Sequence, residues 1–137
     1  MRQLIACLFL LSLCAMASTK DEPQWRVVME KHIVNGSKTY ATTIFTPKEK
    51  GDYRITASCS VIGGQANQSI WNFNFQWNDV IGTPAENAIQ CIGGTYQTQQ
   101  QLIFILTPQP NVPVTWQGQP YGPVSTFDLF FTVEHLQ

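Results

Sequence analysis

Two histidines are the residues of this 137-residue chain most suited to acid–base catalysis at neutral pH. They are His32 and His135, and neither lies in a nucleophile motif or has metal-ligand spacing around it. His32 lies near the end of the first predicted strand and His135 near the end of the last, and the first and last strands of a β-sandwich can be neighbours, so a histidine pair is one interpretation. Two solvated histidines at strand ends are the simpler interpretation, and we favour it.

Four carboxylates in the second half of the chain are the other candidates for catalysis: Asp79, Glu86, Asp128 and Glu134. A glycosidase needs two carboxylates that face each other. Asp128 and Glu134 share one face of a strand but lie about 20 Å apart in an extended chain, too far to act together. Asp79 and nearby carbonyls could bind calcium, but no calcium-loop motif surrounds it. The sequence therefore predicts no enzyme, no cofactor and no metal site.

Aromatic residues beside a Gly/Pro-rich segment are the candidates for ligand binding. Trp116 and Tyr121 surround Gln117-Gly118-Gln119-Pro120, which we predict to be a loop. Aromatic rings stack on the apolar faces of sugars, and amides hydrogen-bond to sugar hydroxyls. We therefore propose Trp116, Gln117, Gln119 and Tyr121 as a ligand site. The alternatives are loop packing or a subunit interface.

The charge is low and unevenly distributed. Lys and Arg number 8 and Asp and Glu number 9, so the net charge is −1 and only 12% of residues are charged. All basic residues lie between Arg2 and Arg54. Nucleic-acid binding needs a basic surface and is excluded. A neutral surface, polar through amides and hydroxyls, is compatible with close self-association.

The first 17 residues have the pattern of a secretory signal peptide. Arg2 is followed by an apolar run over residues 4–15, and Ala15-Met16-Ala17 is a small-x-small cleavage site. We predict cleavage after Ala17, a flexible lead over residues 18–24 and a secreted, extracellular or periplasmic protein. A lipoprotein signal at Cys7 or Cys14 fits less well, and no later segment could span a membrane.

Cys59 and Cys91 remain after cleavage. In an oxidising compartment they can form a disulfide, although two buried free thiols would also fit. Asn35 and Asn67 begin glycosylation acceptor patterns, which matter only in a eukaryotic host.

The mature chain has the alternation of β-strands throughout. Residues 71–78 alternate aromatic rings with polar side chains, and residues 102–106 are apolar on both faces, as in a strand that is covered on both sides. About eight strands are predicted: residues 25–33, 40–46, 53–61, 71–78, 88–92, 102–106, 112–116 and 127–133. Asn35-Gly36 is a strong hairpin signal. Strands of this length and number predict a sandwich or barrel over residues 25–137.

Several of these segments resemble small jelly-roll domains of phage tail and bacterial extracellular proteins, which are similar to the globular heads of tumour-necrosis factor and complement. The resemblance begins at residues 43–47 (TIFTP) and 51–55 (GDYRI), continues at residues 75–79 (FQWND) and ends at residues 127–136 (FDLFFTVEHL). It extends over about residues 25–137. It implies a single jelly-roll domain of about eight to ten antiparallel strands, commonly a trimer, that displays or recognises rather than catalyses.

Two functions are therefore expected. The first is a secreted, non-enzymatic module for recognition or assembly that forms homo-oligomers, with a trimer favoured. The second is a carbohydrate-binding module or lectin that binds a glycan or cell-surface ligand through Trp116 and Tyr121.

Overall fold

The computed structural model describes residues 22–94 and 100–137, and within them the chain forms eight strands and no helix. The strands are β1 (Trp25–Gly36), β2 (Thr42–Phe45), β3 (Tyr53–Ile62), β4 (Ile70–Asn78), β5 (Pro84–Ile92), β6 (Gln100–Leu106), β7 (Val114–Tyr121) and β8 (Thr126–Leu136). The predicted signal peptide and most of the lead lie outside the described residues. In the described part of the chain, no helix has the length and hydropathy that a membrane crossing requires.

The strands form two four-stranded antiparallel sheets. Sheet 1 has the order β1-β8-β3-β6, and sheet 2 has the order β2-β7-β4-β5. The inner faces of the two sheets pack against each other, which confirms the predicted all-β sandwich. Neighbouring strands are mostly distant in sequence, so the fold depends on long-range pairing.

The centre of the core is a cluster of four aromatic rings. Phe127 of β8 packs against Trp71 and Phe73 of β4, with ring centroids 4.6 and 4.8 Å apart. Trp116 of β7 completes the cluster at 5.8 Å from Phe127. All four side chains are at most 2% exposed. Rings of this size dominate the hydrophobic free energy of a small core, so this cluster holds the two sheets together.

The alternation of aromatic and polar residues in the sequence corresponds to the two faces of strand β4. On β4, Trp71, Phe73 and Phe75 point inward and are buried, while the polar residues between them face outward. The prediction of an aromatic inner face is therefore confirmed.

The hairpin predicted at Asn35-Gly36 is wrong. β1 continues through Gly36 and pairs with β8, and β2 belongs to the other sheet. A side chain at position 36 would overlap the Phe127 ring, and the backbone N–H of Asn35 donates a hydrogen bond to the Asp128 carboxylate at 2.9 Å. Glycine is therefore needed here for close packing against the core, not for a two-residue turn.

Strand β6 is covered on only one of its two faces. Phe104 and Leu106 are buried between the sheets, whereas Ile103 and Ile105 are each 59% exposed on the outer face of sheet 1. No described residue supplies the expected cover on the second face, because the outer face of each sheet in a two-layer sandwich points away from the core.

A disulfide between Cys59 and Cys91 links the two sheets. Its Cα atoms are 6.1 Å apart, and both cysteines are buried. Cys59 lies on β3 and Cys91 on β5, so the bond joins strands that the chain order separates by 32 residues. The disulfide alternative is thus confirmed over the two free thiols.

We expect the disulfide to contribute about 3 kcal/mol to the free energy of unfolding, since it closes a loop of moderate length in the unfolded chain. Urea unfolding of the mature protein with and without reductant measures this. The double variant Cys59→Ala/Cys91→Ala should unfold at a lower urea concentration and should not respond to reductant. Unchanged stability in the double variant would contradict the expected contribution.

Candidate functional site

The segment proposed as a ligand-binding loop is a strand. Residues 116–121 belong to β7 and pair with β4, from Phe75 opposite Trp116 to Ile70 opposite Tyr121. A strand tolerates Pro120 here because β2 pairs with β7 only as far as Trp116, which leaves the rest of β7 without a strand on that side. Gly118 suits this position because a Cβ there would lie tightly against the Lys38 carbonyl, at 3.0 Å, and the Trp71 ring, at 3.1 Å.

Trp116 is not available to a ligand. Its side chain has no exposed surface and packs between Phe73 and Phe127. Its indole nitrogen is a buried donor with no hydrogen-bond partner among the described residues. The proposal that Trp116 stacks on a sugar is therefore wrong, because strand alternation turns its side chain into the core.

The other three proposed residues lie together on the outer face of sheet 2. Gln117, Gln119 and Tyr121 alternate outward along β7 and are exposed. Amide side chains of β4 and β5 lie beside them on the same face. We name six of these side chains the amide face: Asn72, Asn74, Gln76, Gln90, Gln117 and Gln119.

The register arranges the amide face in rows across the strands. One row consists of Gln119, Asn72 and Gln90. In this row the side-chain amide of Gln90 donates a hydrogen bond to the side-chain oxygen Oδ1 of Asn72 at 3.0 Å. The next row pairs Gln117 with Asn74. Neighbouring strands lie about 4.8 Å apart, and alternate residues along a strand lie about 6.7 Å apart. The result is a flat lattice of groups that both donate and accept hydrogen bonds.

The two ends of the amide face differ. At one end, Gln76 and Thr115 line a concavity of about 500 Å³ together with Glu86, Pro84 and Pro113. At the other end, Tyr121 is 46% exposed.

A second exposed ring lies beside the amide face. The Gln117 amide donates to the Thr39 carbonyl at 2.9 Å, which brings residues 37–41 alongside β7. In that segment Tyr40 is 60% exposed, and the Lys38 ammonium lies 5.6 Å from its ring centroid.

The outer face of sheet 1 has a different chemistry. We name Ile103, Ile105 and Phe130 the apolar face. Between β6 and β8 lies β3, whose small residues Thr56 and Ser58 pair with Ile103 and Phe130. Small side chains between large ones leave a depression of about 330 Å³, lined by Thr56, Ser58, Gln101 and Phe130.

An ion pair borders the apolar face next to Ile105. The Arg54 guanidinium donates to both carboxylate oxygens of Glu134, at 2.6 and 2.8 Å, and lies 4.8 Å from the Trp25 ring. The hydrogen bonds from Arg54 lower the pKa of Glu134 below its usual range. Both side chains are partly exposed, so the pair is screened by solvent.

The two histidines are not paired. His32 lies on the outer face of sheet 1, with its ring at right angles to that of Phe130. His135 is 8% exposed and stacks on Tyr53, with ring centroids 4.4 Å apart. The expectation that both histidines are solvated is therefore wrong for His135, which lies under the turn at Gly51.

Each late carboxylate other than Glu86 has a local structural partner. Asp79 accepts hydrogen bonds from the backbone N–H groups of Ile81 and Thr83 and so closes the turn before β5. Asp128 accepts a hydrogen bond from the backbone N–H of Asn35, and Glu134 pairs with Arg54. Within residues 22–94 and 100–137, no three His, Cys, Asp or Glu side chains are grouped as metal ligands would be.

The structure also contains a cleft that the sequence did not indicate. It lies between β1, β2 and the turn after β2, and has a volume of about 500 Å³. Met29, Ile44 and Phe45 form its apolar wall, and Tyr53 and His135 also line it. The Tyr53 hydroxyl donates to the Glu49 carbonyl at 3.3 Å, and burial raises the pKa of Tyr53. These residues are far apart in sequence, so no local pattern could have indicated the cleft.

No protein-family model matches the chain, and comparison with curated proteins gives no significant match.

The positions of Trp116 and Gln119 on opposite faces of β7 predict different effects of substitution. Trp116→Ala should lower the free energy of unfolding by about 3–5 kcal/mol, since it leaves a large cavity in the core. Gln119→Ala should change it by no more than about 0.5 kcal/mol, because the side chain is exposed. Urea unfolding measures both values. Equal effects of the two substitutions would contradict the assignment of Trp116 to the core.

The ion pair predicts a pH dependence of stability. Because the pKa of Glu134 is lower in the folded chain, the ionised form stabilises the fold above the unfolded pKa of about 4.5. This contribution is lost as the pH falls through the folded pKa. The variant Glu134→Gln lacks it, so its free energy of unfolding should change less than that of the wild type between pH 7 and pH 3. An identical pH profile of the two proteins would contradict the role of the pair.

Proposed function

We propose that the mature chain is a secreted, non-enzymatic module for recognition or assembly, and that it self-associates through the apolar face. The observation that carries this proposal is the exposure of Ile103 and Ile105, at 59% each, on the same sheet face as Phe130, at 39%. Apolar side chains grouped on one surface are typical of a protein interface.

The composition of sheet 1 supports self-association. Residues 100–106 of β6 contain no charged residue and no proline, the usual protections of an exposed edge strand. The depression between Thr56, Ser58 and Phe130 is large enough to receive an apolar side chain from a second copy. The second half of the chain has few charged residues, so electrostatic repulsion between copies is small.

The strand pairing supports a jelly roll in particular. β1 pairs with β8, β2 with β7, β3 with β6 and β4 with β5, which is the pairing obtained when one long hairpin is wrapped into two sheets. This is the fold that the resemblance to phage-tail and bacterial extracellular domains implies. That resemblance also favours a trimer, which requires contact between two different surfaces of the subunit, so that a head-to-tail ring closes.

The surroundings of the ionisable residues support a non-enzymatic role. His32 and His135 lie apart, and three of the four late carboxylates accept hydrogen bonds from backbone N–H groups or from Arg54. The disulfide supports secretion, because such bonds persist in oxidising compartments.

Sedimentation of the mature protein tests the proposal. We expect a trimer at micromolar concentration, and we expect Ile103→Asp to be monomeric because it places a charge at the centre of the interface. Ile81→Asp is the matched control, since Ile81 is 83% exposed in the turn before β5, away from the apolar face.

A wild-type protein that is monomeric at tens of micromolar would overturn the proposal. So would equal dissociation of the Ile81→Asp and Ile103→Asp variants. Circular dichroism of each variant should first establish that it is folded.

A further inference from the structure

We propose that the amide face is a binding site for a neutral polysaccharide. The proposal differs from the earlier prediction of a loop site, because it excludes Trp116 and includes the amides of β4 and β5. It uses sheet 2 only and does not depend on self-association through sheet 1.

The first argument is the hydrogen-bonding chemistry of the surface. A sugar hydroxyl both donates and accepts a hydrogen bond, and so does a side-chain amide. The amide face has six such groups on three adjacent strands, with neighbours about 4.8 Å apart within a row and rows about 6.7 Å apart along the strands. Several hydroxyls of one polysaccharide can therefore pair with amides of this face at the same time.

The second argument is the charge. Among the outward-facing residues of β4, β5 and β7, Glu86 is the only charged residue, and none is basic. A sulfated or uronic-acid polysaccharide would find no cation on these three strands and would be repelled by Glu86; the nearby Lys38 ammonium lies at the border of the face, over the Tyr40 ring. A neutral polysaccharide has no charged groups of its own that must lose water when it binds. Its hydroxyls can also donate hydrogen bonds to the Glu86 carboxylate.

The third argument is the shape of the surface. The concavity lined by Gln76, Glu86 and Thr115 continues the amide face at one end. At the other end the exposed ring of Tyr121 offers an apolar plane on which a sugar ring can stack. The lattice of amides lies between the concavity and the Tyr121 ring, so one extended polysaccharide can contact all three.

The test is depletion of the mature protein from solution by cellulose, chitin and an insoluble β-1,3-glucan, with heparin-coated beads as the charged comparison. We expect binding to at least one neutral polysaccharide and none to heparin. Gln76→Ala, Gln119→Ala and Tyr121→Ala should each weaken binding by roughly 3- to 10-fold, the effect of one lost contact of this kind.

Gln24→Ala is the matched control. Its exposed amide precedes β1, and its backbone pairs with Gln137, so the substitution removes an amide outside the proposed site. It should bind like the wild type. No binding to any of the three polysaccharides, stronger binding to heparin, or equal weakening by Gln24→Ala and Gln119→Ala would each overturn the proposal.

The Ile103→Asp variant separates this proposal from self-association. Titration with a short soluble oligosaccharide of the bound polymer measures the affinity of a single site. It avoids the higher overall affinity that several linked sites have for an insoluble polymer. We expect Ile103→Asp and the wild type to have the same dissociation constant per chain. Loss of oligosaccharide binding in a folded Ile103→Asp variant would overturn the independence of the two faces.

Discussion

The aromatic cluster between the two sheets is the interaction on which the other features depend. Phe127 is its only member from sheet 1, and it contacts Trp71, Phe73 and Trp116 of sheet 2. Gly36 must lack a side chain because Phe127 occupies that space, and Gly118 lies against the Trp71 ring. The core therefore determines where small residues must stand, including positions that look like turn signals in the sequence.

The same cluster also determines what the outer faces present. Because side chains alternate along a strand, Trp71 and Phe73 facing inward require Asn72 and Asn74 to face outward. On β7, Trp116 in the core likewise requires Gln117 on the surface. The amide face is the reverse side of the aromatic core, and its register across β4, β5 and β7 follows from the pairing that the core stabilises.

The sequence predicted those features that depend on local alternation, and failed where distant strands decide the outcome. Each of the eight strands contains a segment that was predicted, because the segment either alternates with a period of two or, in β6, is a short apolar run. The sequence did not predict that Gly118 and Pro120 lie in a strand, since their turn propensity is overridden by pairing with β4. For the same reason, only Gln117, Gln119 and Tyr121 of the proposed site are exposed together. The cleft beside Tyr53 and His135 could not be predicted, because the sandwich brings its residues together from separate strands.

The two outer faces have separate roles if both proposals hold. Self-association that pairs the Ile103 side of sheet 1 with the Phe130 side of the next copy uses two different surfaces of sheet 1 and leaves sheet 2 facing outward on every copy. A flat hydrogen-bonding surface binds a single sugar chain weakly, because water competes for every amide. A trimer presents three such surfaces to one polymer, and linked binding events can raise the overall affinity on the order of 10²-fold or more when the geometry allows simultaneous contact. Assembly through the apolar face would therefore raise the overall affinity of the weakly binding amide face for an extended polysaccharide.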